Sequence, residues 1–307
     1  MKIPAFTVAL CVPALFALIS CAAKKSGGEN IAVFIPGQMD GSAIYSQLGE
    51  GAFRAVKDWN ESHGGVPAQV VVVEAGYNQS EWEGKLTMLA AGGQYTLIIS
   101  SNPSMPYFVS VISKKFPAQK FLLMDSELSG NPNVYTLRYN QREQAYMAGY
   151  LAGLLSAGHT RSIGLIAAQE YPVMNTIIKP AYLEGANAAL DGGSGVDNSG
   201  FSDNGFSLDY RVVGNWFDAQ KAAELGAGMI RDGVRVILPV AGGASEGAVQ
   251  AAVEGGAKII WFDSNGYAVR PGTIAGSCAI MQEAAVYDKL TLYFEGKLPF
   301  GSAETAG

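Results

Sequence analysis

The chain has 307 residues, 49% of them apolar and 16% charged, with 38 glycines and a formal net charge of −6. At roughly 150 residues per domain this length suits two lobes with real cores, and the apolar share excludes a disordered chain. Without a long basic run the chain is not built for nucleic acid, because phosphate neutralisation needs clustered Lys and Arg; its two histidines, His63 and His159, all but exclude a His-rich metal site, and no cofactor is expected.

Residues 1–21 run MKIPAFTVALCVPALFALISC. Lys2 precedes an apolar stretch, Ala5 to Ile19, shorter than the ~20 residues of an ordinary membrane span. After Leu18-Ile19-Ser20-Cys21 the polarity rises sharply in AAKKSGGEN. Small residues before a Cys at the end of an apolar segment resemble a bacterial lipobox, which makes Cys21 the lipidated N-terminus of the mature protein. An ordinary secretory signal, or a chance Cys in an apolar segment, is the alternative. Several acyl chains make such an anchor stable, and residues 22–29 suit a flexible tether. Cys11 then leaves with the signal, and Cys278 remains alone, without an intramolecular partner and as a small apolar core residue.

Beyond the tether, strands and helices alternate. IAVFIPG (31–37) is a short apolar strand, and 41–62 has helical spacing through Ile44, Leu48, Ala52, Val56 and Trp59, with Ser42 as its cap. QVVVVEA (69–75), YTLIISS (95–101), KFLLMDS (120–126) and NVYTLRYN (133–140) are further strands, with helices at 80–93 and 105–117 between them. Strands this uniformly apolar belong in a parallel sheet covered on both faces. The second half repeats the style. A long helix with small residues on one side (141–158) leads into strands at 162–168, 208–216, 234–241, 257–264 and 273–280. Helices at 174–193, 218–233, 245–256 and 281–297 accompany them, and Pro180 should kink or interrupt the first. The polar, Gly-rich segment 193–206 suits an exposed loop. The fold class is α/β, with two Rossmann-like lobes. The first lobe is expected over 30–139 with roughly 265–292 returning to it, and the second over 140–264 with roughly 293–307.

Ligands of such sheets sit at the carboxyl ends of the strands, which in a two-lobed chain is the cleft between lobes. Asp125 and Asp263 each end a strongly apolar strand, FLLMD and IIWFD, one in each half. Such a carboxylate can accept hydrogen bonds from a ligand, or cap the next helix or shape a turn. The Gly242-Gly243 turn in VAGGAS can offer backbone N–H groups to a ligand oxygen, or serve as a tight turn alone. It matches neither phosphate-binding fingerprint. Tyr45, Trp216 and Phe217 can sandwich a flat ring, or pack in the core.

FLLMDS, QREQAYMAGYLAGLL, IGLIAA, VAGGASEGAV and IIWFDSN follow the lipobox in that order. In this the chain is similar to the basic membrane protein (BMP) family, which includes the purine-nucleoside receptor lipoproteins, over nearly all of residues 30–297. The resemblance implies a type I periplasmic-binding-protein fold, its two lobes joined by a hinge, and delivery of nucleosides to an ABC importer. It implies roles residue by residue. Tyr45 stacks on the base, Ser46 stands where the family has a base-contacting Asn, and Asp125 hydrogen-bonds the base. Asp263 holds ribose hydroxyls, with Gly242 and Gly243 beside the sugar. Asp40 is the remnant of an acidic stretch, and a ribose-contacting Lys falls near Ile280. The resemblance also implies a further strand after the position of Gly307, so a lobe edge is expected to stay unpaired here.

The expected protein is thus a monomeric, lipid-anchored, extracytoplasmic solute receptor. It binds a nucleoside, in the first place a purine one, partners an ABC permease, and is not an enzyme. A nucleoside hydrolase on the same architecture, using Asp125 or Asp263, is the competing reading, and a surface adhesin or structural lipoprotein with a vestigial cleft is another.

Overall fold

The computed structural model describes residues 28–156, 158–190 and 205–306. The lipobox with Cys21, the signal segment, most of the tether and most of the Gly-rich loop lie outside the described residues. No helix among the described residues is long and apolar enough to cross a membrane.

The first sheet holds β1 (Asn30–Ile35), β2 (Gln69–Glu74), β3 (Leu97–Ser101), β4 (Lys120–Met124), β5 (Val134–Tyr139) and β11 (Ala303–Ala306). Its order is β11-β5-β4-β3-β1-β2, and every pair is parallel. The second sheet holds β6 (Ser162–Ala167), β7 (Ser207–Val212), β8 (Val236–Val240), β9 (Lys258–Asp263) and β10 (Ile274–Ala279). Its order is β10-β9-β8-β6-β7, again all parallel. Counted along each lobe, both sheets follow the doubly wound order 2-1-3-4-5, and β11 extends the first. Central strands are apolar on both faces because helices cover both. Ile98, Ile99, Phe121, Leu122, Leu165 and Leu238 are fully buried.

The helices are α1 (Ala43–Ser62), α2 (Trp82–Gly92), α3 (Met105–Lys115), α4 (Gln141–Ser156), α5 (Lys179–Leu190), α6 (Ala219–Arg231), α7 (Ser245–Gly255) and α8 (Gln282–Phe294). Their starts follow capping chemistry. The Ser42 side chain accepts the Tyr45 N–H at the head of α1, and the Asp218 side chain accepts the Lys221 N–H at the head of α6. Pro180 acts where expected. It sits second in α5, directly after a wide π turn, Met174–Ile178, closed by the Lys179 N–H on the Met174 carbonyl.

Two expectations about lobe membership need correction. The segment 265–279 does not return to the first lobe, because β10 pairs with β9 and completes the second sheet. Nor does 293–307 belong to the second lobe. α8 packs on α1, and β11 pairs with β5. That pairing makes β11 the outermost strand of the first sheet. The Lys289 ammonium, 2.7 Å from Glu304, and the Tyr135 hydroxyl, which donates to the same carboxylate, fix β11 in place. The periodicity of TIAGSCAI identifies a strand but not its neighbour. A four-residue polar strand such as AETA carries too little apolar pattern to be seen. Among the described residues the chain therefore crosses between lobes twice, between β5 and α4 and between β10 and α8.

α4 and α5 meet through the small residues noted in the sequence. A Cβ at Gly149 would fall on the Tyr182 carbonyl, and one at Gly185 on the Tyr146 carbonyl. Only glycine permits this approach of two backbones. Gly84, on α2, faces open space. Gly185→Ala is therefore expected to lower the melting temperature by about 5 °C or more. Gly84→Ala should raise it by roughly 1–3 °C, the gain from restricting the unfolded chain. Thermal denaturation followed by circular dichroism checks both signs.

Candidate functional site

The carboxyl ends of both sheets face one another across a cavity of about 470 Å³, within the range usual for small-molecule sites. Asp125 follows β4, the fourth strand of the first sheet, and Asp263 ends β9, the fourth strand of the second. The two are equivalent positions of equivalent lobes, and both line this cavity. Among the described residues they are also the only non-glycines with positive φ, 48° and 69°. Asp tolerates this left-handed conformation better than most residues, and it turns each side chain off its strand toward the cleft. Such strain persists where surrounding structure enforces it, often at functional sites.

One helix turn holds both carboxylates. Gln141 Nε2 donates to Asp125 Oδ1 at 3.1 Å, and Gln144 Nε2 donates to Asp263 Oδ1 at 3.0 Å. Gln144 Nε2 also donates to the Cys278 carbonyl at 2.7 Å. Gln141 and Gln144 stand three apart on the first turn of α4, immediately after the first crossing, so they project from one face. The positive end of the α4 dipole lies beside the same two acids. At the second crossing, buried Gln282 accepts from Ser101 Oγ at 2.9 Å and donates to the Ile44 carbonyl at 2.8 Å.

Burial pushes the Asp125 carboxyl well above the usual range, and the Asp263 charge adds to the shift. Burial also pushes Asp263 up to about 6, with the Gln144 hydrogen bond opposing. The hydroxyls of Tyr139 and Tyr171 are raised by burial and then by both carboxylates, which places all four groups in one electrostatic neighbourhood. Cys278 packs at the edge of the second core and its thiol is raised, by burial first and Asp263 second.

The walls are aromatic. Tyr45 donates to the Pro36 carbonyl at 3.1 Å, and its hydroxyl accepts from Asn102 Nδ2 at 3.4 Å. Phe217 stands 4.3 Å from Tyr77 between ring centroids, and Trp216 stands 6.1 Å from Tyr171. A Cβ at Gly37, where φ is 148°, would come within 3.1 Å of the Tyr45 ring and 3.3 Å of Phe217. That glycine lets the two rings converge. Gly242, with φ 57°, does the same for Trp216, whose ring would be 3.3 Å from a Cβ there. The Trp216 carbonyl accepts the Ala244 N–H at 3.0 Å, which docks the aromatic loop on the glycine turn. Trp216 Nε1 and Gln144 Oε1 are buried without a hydrogen-bond partner.

Of the residues singled out in the sequence, Asp40, Tyr45, Asp125, Trp216, Phe217, Gly242, Gly243 and Asp263 line the cavity. Ser46 does not. Its hydroxyl donates back to the Met39 carbonyl at 3.4 Å, because α1 turns this position away from the cleft. Ile280 is likewise outside the lining, packed against the first core. Sequence reasoning missed Tyr77, Tyr171, Gln141, Gln144 and Glu246. Only Gln141 and Gln144 carried a signal, as polar residues at the head of a helix that follows a strand end. Trp216 and Phe217 sit in the loop after β7 rather than on the strand itself, which ends at Val212. Their place in the cleft depends on the Asn215 side chain, which accepts the Phe217 and Asp218 N–H groups.

Comparison with known proteins agrees with this architecture. The nucleoside-binding protein BmpA of an ABC transporter from Lactococcus lactis subsp. cremoris is 27% identical over 171 residues, 56% of this chain and 41% of that protein. A CD4+ T-cell-stimulating antigen of Listeria innocua is 23% identical over 158 residues, 52% of this chain and 40% of that protein. The chain thus matches about two-fifths of the length of these relatives. A solute-binding protein of an ABC transporter system from Aeropyrum pernix K1 superposes with a TM-score of 0.76 at 21% identity, covering 91% of this chain and 74% of that one. GanP, a glucose-galactose binding protein from Geobacillus stearothermophilus, superposes with a TM-score of 0.63 at 14% identity, covering 91% and 95%. These likenesses show the fold, two parallel α/β lobes of the type I periplasmic-binding kind. Residues 28–307 match the Bmp family model, and the chain belongs to that family of PnrA-like ABC transporter substrate-binding proteins.

Proposed function

We propose that this protein is a lipid-anchored, extracytoplasmic receptor that takes a nucleoside-like solute in the cleft between its lobes and presents it to an ABC permease. The observation that carries the reading is the pairing of Asp125 and Asp263, equivalent strand-end acids of opposite lobes lining one aromatic-walled cavity. A flat base can pack against cavity rings such as Tyr45 and Phe217, while the carboxylates accept from ring N–H and sugar hydroxyl groups. Each acid spends Oδ1 on a glutamine, and no other hydrogen bond engages either carboxylate among the described residues. A ligand touching both acids bridges the lobes, so it stabilises the closed form, the differential contact that closure requires. Support for binding rather than turnover comes from His63 and His159. Neither lines the cavity, and His63 stacks on Trp59 at the far end of α1.

A screen of inosine, guanosine, adenosine, free bases and pentoses by thermal shift, with calorimetry on the hits, tests the reading. A ligand at ~100 Kd should add ~2.7 kcal/mol, or roughly 5–10 °C for lobes of this size. Asp125→Asn and Asp263→Asn should each weaken binding by about tenfold or more without unfolding the protein. Release of free base from inosine would establish the hydrolase instead, and indifference to every nucleoside and sugar would favour the adhesin.

The raised carboxyls make a second prediction. Because the folded-state value of Asp263 is about 6 against ~3.9 in an unfolded chain, the folded protein holds the extra proton. Its contribution to stability is present below that lower value and lost as pH rises through 6. Asp263→Asn removes the loss and still offers Oδ1 to Gln144. The ligand-free variant should melt higher than the parent at pH 7.5, by about 2 °C or more, and level with it near pH 4. Scanning calorimetry at both pH values decides.

A further inference from the structure

Four acidic side chains line the cavity, Asp40 and Asp125 from the first lobe and Glu246 and Asp263 from the second, and among the described residues no Lys, Arg or His does. The adjoining chamber of about 860 Å³ shares Asp125, Gln141, Tyr171 and Trp216 with this cavity. Its two arginines are already neutralised, Arg138 by Glu127 at 2.7 Å and Arg142 by Glu184 at 2.8 Å. Among the described residues, neither lining leaves a Lys, Arg or His free to balance these acids. Five aromatic rings, Tyr45, Tyr77, Tyr171, Trp216 and Phe217, line the same space.

We propose that this cleft selects its solute by charge, favouring an aromatic ligand that carries a positive charge, such as a ring-methylated or protonated nitrogen heterocycle, and rejecting anions such as nucleotides and carboxylates. The inference rests on the nucleoside-like reading for the shape of the ligand, but its charge argument stands on the lining alone. Ring faces attract cations, more strongly when water is excluded, and carboxylates supply the complementary field. A phosphate or carboxylate entering this lining meets acidic side chains and no free cationic side chain among the described residues, a usual means of rejecting a wrong partner. An organic cation fits better than a metal ion, because among the described residues no three His, Cys, Asp or Glu side chains are grouped to hold a metal. The raised values of Asp125 and Asp263 are those of buried acids lacking a cation. The other titratable groups facing them, Tyr45, Tyr139, Tyr171 and Cys278, are all raised as well. Those four stay neutral at pH 7 and add no positive charge.

One ring in three charge states tests the proposal. Nicotinamide, 1-methylnicotinamide and nicotinate are titrated calorimetrically into the intact protein at pH 7.0. The methylated cation is expected to bind about tenfold tighter than nicotinamide, a difference of the order of one well-placed charge contact, and nicotinate not at all. Asp125→Asn and Asp263→Asn should shrink the preference for the cation while leaving nicotinamide affinity less affected. Equal affinity for cation and neutral ring, binding of nicotinate, or no binding of the cation at about 10 mM overturns it. A second arm separates this inference from the nucleoside reading. Adenosine, N6-methyladenosine and 1-methyladenosine are compared, the last two equal in size and different in charge. Nucleoside binding without preference for the charged isomer sinks the charge proposal and leaves the nucleoside reading standing. A cation preference in the nicotinamide series with no nucleoside bound sinks the nucleoside reading alone.

Discussion

Two buried carboxyl groups from different lobes are each held by one turn of one helix, and the rest of the molecule is arranged around that constraint. Asp125 and Asp263 repel, and both are removed from bulk water, so their approach is unfavourable on its own. Gln141 and Gln144 answer it with one amide hydrogen bond each to a carboxylate, from positions three apart at the positive end of α4. Because α4 begins at the first crossing between lobes, the residues that steady the acids also mark the hinge. Gln282, at the second crossing, ties Ser101 and Ile44 together in the same way. A neutral amide is suited to this place. It stabilises a carboxylate without cancelling its charge, so the acid remains able to attract a ligand.

The fold supplies the symmetry that the site uses. Both sheets have the same strand order, and in both the fourth strand ends in an acid with left-handed backbone followed by a buried serine. The serines finish the turn. Ser126 donates to the Met124 and Asn102 carbonyls, and Ser264 accepts from Trp261 Nε1. Close to these ends the glycines at 37 and 242 leave room for rings rather than for a backbone bend alone. The aromatic walls are therefore set by missing side chains as much as by present ones.

Much of this was legible in the sequence, and the part that was not has a common cause. Uniformly apolar runs such as FLLM and KIIWF announce buried parallel strands, and an Asp directly after such a run lies at the sheet edge where ligands bind. That logic found Asp125 and Asp263 without any knowledge of the partner strand. It could not tell which sheet β10 would join, because a strand's periodicity is indifferent to its neighbours. It missed β11, whose hold comes from the Glu304 contacts rather than from apolar area. It also mistook Ser46 for a cavity residue. Ile44 and Tyr45 take the cleft side of the first turn of α1, while the Ser46 hydroxyl folds back onto the Met39 carbonyl. Tyr77 and Tyr171 lie in loops, where spacing carries no facial information.

The ligand-free site is a place where the protein accepts instability. Two strained backbone positions, two buried acids without a cationic partner, and the unpartnered indole N–H of Trp216 are concentrated in one cavity. Elsewhere the lobes are orthodox, with apolar strands, capped helices and close glycine contacts between α4 and α5. Consistency in the scaffold and its local violation in the cleft is the pattern expected of a binding site. The side-chain terms are ones a bound solute can relieve, through a donor to a free carboxylate oxygen, an acceptor at the indole, or a charge between the acids. Since the terms come from both lobes, a solute relieves all of them only when the lobes are together. On the proposed reading, the same features that destabilise the empty cleft would couple occupancy to closure, and that coupling is what a permease would sense.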